Sequence, residues 1–275
     1  MKQPLEPDLQ ITSPQNARAR HVQLLRDRRY RDESGMTVVE GARELERALD
    51  GTVHPAEIYF CPELPIADYE ADLLARCRAA GAILLQCSLP VFRKLAYREN
   101  PRGWIAVLPQ RRRQLADVTF RHVPLLAIAE SLEKPGNLGA ILRSADGAGL
   151  DAVIVCDRCT DLYNPNTVRA SLGTVFTAQV AESTTDKCLG WLDEHGVAVA
   201  AATPEGNHLY SEVDFTQPLA FAFGSEEKGL SKRWRERADL RIRIPMLGQG
   251  DSLNVATTAG ILFYEAVRQR ESQRS

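Results

Sequence analysis

Three short polar stretches hold the residues best suited to building a site in this 275-residue chain. Residues 135–143 carry Asn137 and Arg143, residues 224–230 carry Gly224 and Glu226, and residues 245–255 carry Ser252 and Asn254. Amide, guanidinium, carboxylate and hydroxyl together can orient a polar substrate and stabilise developing charge, and a glycine lets backbone approach a ligand closely. Each stretch taken alone also has a plain structural reading. Asn137, Ser252 and Asn254 fall near helix starts, where such side chains cap orphan backbone N–H groups. Arg143 can be a solvated helix residue, and 224–230 an ordinary turn with solvated charges.

The elements around these stretches change the balance. Residues 125–129 and 219–223 are apolar runs that read as buried strands, and 241–244 alternates as a strand does. Each leads directly into one of the polar loops, and each loop opens a helical pattern. Arg143 lies off the Ile141/Ala145 face of its helix, at about 100° per residue, so it is expected to project into a cleft. The second half is predicted as strand 123–129, helix 138–149, strand 151–156, loop and short helix 157–172, and strand 174–181. It continues with helix 185–195, strands 197–202 and 218–223, helix 229–237, strand 240–244 and helix 252–271. Such alternation predicts an α/β fold with a parallel sheet covered on both faces, and open sheets bind ligands at the carboxyl ends of their strands.

Upstream, the pattern is that of a smaller α/β unit. An opening helix holds Leu24 and Leu25, followed by strand 37–39, helix 42–49, strand 57–60, helix 69–80, strand 82–86, helix 90–96 and strand 104–108. Pro109-Gln110-Arg111-Arg112-Arg113-Gln114 breaks the periodicity. We therefore expect a front domain over 1–110, a linker over 111–122 and a second domain over 123–275, with residues 268–275 frayed.

The order and spelling of the three loops resemble the signature motifs of the SpoU (TrmH-like) branch of the SPOUT RNA 2′-O-ribose methyltransferases. All are unbroken: Asn137/Gly139/Arg143, then Gly224/Glu226/Gly229/Leu230, then Ile244/Pro245/Met246/Gly248/Ser252/Leu253/Asn254/Val255. One short motif is weak, but three in order over about 130 residues are a strong signal. The stretch from Thr12 to Arg43, less sharply, looks like the opening of the L30e/L7Ae-like substrate-binding domain found in front of many SpoU enzymes. The resemblance implies a deep trefoil knot in the second domain and methyl transfer from S-adenosyl-L-methionine to a ribose 2′-hydroxyl. It implies catalytic roles for Asn137, Arg143, Glu226, Ser252 and Asn254, cofactor contacts from Thr203, Gly224, Ile244 and Leu253, and a homodimer with 252–271 as a candidate interface. A guanidinium does not lose its proton in a protein, so Arg143 is expected to bind phosphate and stabilise alkoxide rather than act as base.

Charge suits an RNA partner. The formal net charge is −2, yet residues 1–113 hold 18 Lys/Arg against 15 Asp/Glu and the remainder 16 against 21. The surplus concentrates in Arg18, Arg20, Arg26, Arg28, Arg29 and Arg31, and again in Arg111, Arg112 and Arg113. With Arg43, the first five are candidate RNA contacts, because guanidinium pairs with phosphate and stacks on bases; a solvated helix face and a charged linker are the plain alternatives. Ribosomal RNA, of the 23S type, is favoured over transfer RNA because the front domain resembles a reader of folded RNA.

Other chemistries find little support. Apolar runs are far too short to span a bilayer and the N-terminus lacks a signal-peptide core, so a cytoplasmic protein without membrane contact is expected. The six cysteines are scattered, and Cys156/Cys159 form one C-x-x-C without the second pair that zinc requires, so no metal is expected. His122 has no nucleophile motif nearby. Residues 136–139 are not G-x-G-x-x-G, which disfavours a dinucleotide oxidoreductase. A transfer-RNA enzyme, a catalytically inactive RNA-binding protein and a structural ribosome-associated factor remain as alternatives.

Overall fold

The computed structural model describes residues 6–158 and 160–273, and the chain forms two compact units. The front unit contains β1 (Leu9–Ile11), α1 (Ala17–Leu24), α2 (Arg28–Ser34), β2 (Met36–Val39), α3 (Ala42–Asp50), β3 (Glu57–Phe60), α4 (Asp68–Ala79), β4 (Ile83–Cys87), α5 (Leu89–Leu95) and β5 (Trp104–Pro109). Its five strands lie in the order β1-β4-β3-β5-β2. The first three are mutually parallel, while β5 runs antiparallel to both neighbours. Val22, Leu25, Tyr59, Leu85, Phe92 and Ile105 close one face of this sheet into a core.

Two front elements lack a sequence signature. Strand β1 is three residues long, too short to show alternation. Helix α2 is polar on nearly every side, and local chemistry holds it. Asp27 caps it by accepting from the Tyr30 N–H at 3.1 Å, Gly35 ends it at φ 66°, and Arg28–Asp32 (3.8 Å) and Arg29–Glu33 (2.7 Å) pair across one turn.

The second unit begins at Arg112 and leads into β6 (Leu125–Glu130), α6 (Pro135–Gly147) and β7 (Ala152–Cys156). The chain then returns to the front unit, to which Tyr163–Thr177 belongs, through α7 (Pro165–Ala170) and α8 (Thr174–Thr177). By its contacts this segment groups with the front unit although it lies within the stretch expected for the second domain, and one expectation is corrected: 174–181 is not one strand, since α8 is followed by β8 (Val180–Ser183). Four residues Thr-Val-Phe-Thr have no period that tells a helical turn from a strand, so contacts decide. Gly173, at φ 82°, leaves no room for a Cβ, which would lie 2.7 Å from the Cα of Glu44. Within the same unit the Thr37 hydroxyl donates to the Tyr163 carbonyl at 2.9 Å.

The rest of the second unit comprises α9 (Thr185–Glu194), β9 (Ala198–Ala202), β10 (His208–Leu209), β11 (Leu219–Phe223), α10 (Lys232–Arg237), β12 (Leu240–Arg243) and α11 (Val255–Ser272). Seven strands in the order β10-β12-β9-β11-β6-β7-β8 are all parallel, as the alternation predicts. Helix α11 packs on α6 and continues through residues expected to fray. Arg270, in its last turns, donates to the carbonyls of Phe215, Val123, Pro124 and Gln217 at 2.7–3.0 Å. Residues 274 and 275 lie outside the described residues, as does Cys159; Cys156 and Cys188 are buried.

The expected linker is also corrected. Arg113 pairs beside Ala181 at the edge of β8, and Leu115, Val118 and Phe120 pack against the core containing Trp191 and Leu192. The Phe120 ring sits 5.6 Å from Trp191 and 5.7 Å from His195. Breaks in periodicity conceal such packing, because an irregular segment buries side chains without a repeating face. Phe120→Ala is therefore expected to lower stability by about 1–2 kcal/mol, as partial removal of a half-buried ring does; a melting curve identical to wild type would mean that this segment is a passive linker.

Candidate active site

Parallel pairing brings the ends of four strands to one edge. Phe223 stands beside Ala129, Ala222 beside Ala201 and Ile242 beside Ala202. The loops beyond them enclose a cleft of about 530 Å³, within the usual range for small-molecule sites. Thr203, Glu205, Gly224, Glu226, Ile244, Met246, Ser252, Leu253 and Asn254 line it.

Helix α6 begins with Pro135 in its first turn, which its fixed φ favours. Asn137 thereby faces the loop after β11 and donates through Nδ2 to the Glu226 carboxylate. Its Oδ1 accepts from Asn254 Nδ2 at 3.2 Å. Asn254 is the N-cap of α11, its Oδ1 accepting from the Ala256 N–H at 3.0 Å. The capping role and membership of the site thus coexist in one amide. Lys134, which the sequence did not single out, places Nζ 3.9 Å from Glu226 Oε2. Its position directly before Pro135, where the first polar stretch begins, was the available signal.

The wall around Gly224 is tight. A Cβ there would lie 2.0 Å from the Gly229 carbonyl carbon and 2.1 Å from the Leu230 nitrogen. The turn folds back on itself through Gly229 N–H to the Ser225 carbonyl (2.9 Å) and Lys228 N–H to Ser225 Oγ (3.0 Å). On the opposite wall the Thr203 N–H donates to the Ile242 carbonyl at 3.0 Å. The Thr203 hydroxyl donates to Glu205 and holds that carboxylate below its ordinary range. Glu205 and Arg235 also line the cleft; Glu205 lies just after β9, whereas Arg235, on α10, carries no sequence signal.

Arg143 departs from expectation. It is exposed on α6, does not line this cleft, and among the described residues its side chain has no hydrogen-bond or ion-pair partner. Asn137 orients toward Glu226 and Asn254 instead. The arginines expected to contact RNA also divide. The Arg26 guanidinium donates to the carbonyls of Lys94 (2.9 Å) and Ala96 (2.6 Å), closing the end of α5. Arg18 pairs with Glu57, and Arg28 and Arg29 pair along α2. Arg31 is buried and donates to the Leu25 carbonyl. Arg111 donates to the Gly51 carbonyl at 2.8 Å. Arg20 and Arg43 are exposed with no side-chain partner among the described residues. Among those residues, too, no three His, Cys, Asp or Glu side chains gather as a metal site, and no helix is long and apolar enough to cross a membrane.

Comparison with known proteins places this geometry. Residues 124–264 match the SpoU rRNA Methylase family, and residues 16–106 match the MRM3-like substrate binding domain. The chain is 31% identical over 272 residues to a 23S rRNA uridine 2′-O-methyltransferase of Streptomyces viridochromogenes, covering 96% of this chain and 94% of that one. It is 30% identical over 255 residues to the 23S rRNA guanosine 2′-O-methyltransferase RlmP of Bacillus subtilis, covering 93% and 98%. The SpoU methyltransferase AviRb of Streptomyces viridochromogenes, solved with the cofactor AdoMet, superposes with a TM-score of 0.87 at 28% identity, covering 94% of this chain and 99% of that one. With both halves matched and Asn137, Glu226 and Asn254 gathered at one sheet edge, the chain belongs to the SpoU rRNA methylase family.

Proposed function

We propose that this protein transfers a methyl group from S-adenosylmethionine to a ribose 2′-hydroxyl of ribosomal RNA, acting in the cytoplasm as a homodimer. The observation that carries this is the junction of Asn137, Glu226 and Asn254 beside a cleft walled by the loops after β9, β11 and β12. The relatives' names specify a uridine and a guanosine, which fits chemistry centred on the ribose that both share. An RNA-binding protein without catalysis would have no use for three interlocked polar side chains at a cofactor-sized cleft.

The cleft fits the cofactor. Its volume suits a ligand of that size, and at Gly224 the closely packed wall presents bare backbone. Backbone groups of Thr203, Gly224, Ile244 and Leu253 would hold it, braced by the knotted path that the resemblance implies. When bound, S-adenosylmethionine supplies a methyl carbon on a positively charged sulfur, open to in-line attack.

The chain's own residues align the nucleophile. Asn137 and Asn254 are each fixed by two hydrogen bonds, so their remaining N–H groups are preorganised toward a sugar or phosphate. Glu226, partly neutralised by Lys134, would accept from ribose hydroxyls, and Ser252 would complete the polar wall. The hydroxyl proton would leave to water or to the RNA phosphate, with Arg143 stabilising the alkoxide as it forms.

Arg143 is the reason for the homodimer. It is solvent-facing in its own protomer, on the helix that packs against α11, whose Tyr264 is 54% exposed. A second copy docked on α6 and α11 would carry Arg143 to its partner's cleft. Such a face would be isologous, as twofold dimers require.

Substitutions separate these assignments. Gly224→Ala should abolish S-adenosylmethionine binding in calorimetry while far-UV dichroism stays native, because the added carbon overlaps the turn's backbone; retained affinity would move the cofactor elsewhere. Arg143→Ala should reduce methyl transfer at least 100-fold with cofactor affinity unchanged, an effect of the size of losing an electrostatic stabiliser. Arg143→Lys should recover little, since it lacks the planar fork. Mixing Arg143→Ala with Glu226→Ala should restore about a quarter of wild-type activity through mixed dimers holding one intact site each; failure to complement under subunit exchange would place Arg143 in its own protomer's site. Finally, Arg20→Ala with Arg43→Ala should flatten the log–log salt dependence of RNA binding by about 0.9 for each phosphate no longer neutralised, whereas Arg26→Ala should lower the melting temperature. An unchanged slope would leave the front arginines as a solvated face.

A further inference from the structure

Glu130, the last residue of β6, is a carboxylate at the end of an otherwise apolar strand and is only 4% exposed. Burying such a group is unfavourable unless its oxygens are hydrogen-bonded. Its Oε2 accepts from the backbone N–H of Ser231 at 2.7 Å. Its Oε1 lies 3.5 Å from the Thr185 hydroxyl. That hydroxyl accepts from the Trp234 indole N–H at 2.9 Å and donates to Asp157. The carboxylate is thus seated in a buried polar network joining β6 to α9 and α10.

Its place in the chain gives the network a consequence for the site. Ser231 directly follows Leu230, the last residue of the Gly224–Leu230 loop, and is the N-cap of α10. Glu130 itself precedes the short loop that delivers Asn137. One carboxylate therefore ties together the ends of two loops whose side chains meet where Asn137 donates to Glu226. The Ser225–Gly229 hydrogen bonds close the turn upon itself, but they do not locate it against β6. Sheet pairing of Phe223 with Ala129 sets the loop's entry against β6, and the Glu130–Ser231 bond sets its exit.

We propose that Glu130 is a positioning residue for methyl transfer, setting the Gly224–Leu230 loop against the start of α6 so that the cofactor wall and the Asn137–Glu226 hydrogen bond form together. This rests on the methyltransferase reading of the cleft. The required property is an acceptor at one point, so the amide of Glu130→Gln can supply it, whereas Glu130→Ala removes it and strands the Ser231 N–H. Ser231→Pro deletes the donor from the other side, and the φ of −60° at that position accepts the proline ring.

The full-length variants are compared by calorimetry with S-adenosylmethionine, by steady-state kinetics on RNA, and by hydrogen exchange over residues 224–231 without ligand. Glu130→Ala and Ser231→Pro should each weaken cofactor binding about tenfold, lower kcat, leave KM for RNA in place, and speed exchange across the loop. Glu130→Gln should recover most of the affinity and protection. Folded Glu130→Ala and Ser231→Pro proteins with wild-type affinity and wild-type exchange would overturn the proposal, as would a Glu130→Gln variant as defective as Glu130→Ala. Should Glu130→Ala fail to fold, Ser231→Pro and Glu130→Gln are read by the same criteria. Wild-type protein that binds no S-adenosylmethionine would instead overturn the methyltransferase reading, and loop exchange would still decide whether Glu130 positions the loop.

Discussion

A parallel sheet buried on both faces fixes the direction in which its strands can deliver side chains, and the second unit depends on that constraint. Strands β6, β9 and β11 are almost entirely apolar, so they carry no polar group except at their ends. Because they run the same way in register, those ends share one edge. A cleft forms there from loops far apart in the chain, with little added cost in ordering beyond that of the sheet itself. Asn137 and Asn254, 117 positions apart, meet at 3.2 Å for this reason.

Arginine has a second use in this protein that composition does not reveal. The guanidinium offers five donors in a planar fork, which suits clusters of carbonyl oxygens at the ends of helices and loops as well as it suits phosphate. Arg26 closes α5 in this way, Arg111 reaches the Gly51 carbonyl, and Arg270 gathers four carbonyls beneath α11. An Arg-rich stretch can therefore be largely consumed by the fold. Arg20 and Arg43 are exposed with no side-chain partner among the described residues, whereas the denser run from Arg26 to Arg31 is engaged with carbonyls and neighbouring carboxylates.

Chain order and spatial order part company twice. Residues 112–122 carry no repeating pattern, yet Leu115, Val118 and Phe120 complete the core beside Trp191. Tyr163–Thr177 interrupts the second unit and joins the first. Three chain crossings in place of one mean that the front unit is completed only after part of the second has been synthesised.

By itself, the sequence determined the parts whose physics is local or repetitive. The apolar and alternating runs set the strands other than β1, β8 and β10, the helical period set α3, α4, α6, α9 and α11 to within a few residues, and the three motif loops were legible because each sits between a strand and a helix. Tertiary structure decided what depends on neighbours distant in the chain. It made α8 a helix where four apolar and β-branched residues allowed a strand, and it held the end of α11 through Arg270. It left Arg143 on an outer face, since a helical wheel shows which side a residue occupies but not what lies opposite. It also gave Glu130 its partner, because the Ser231 N–H is 101 positions away and nothing short of the folded sheet brings the two together.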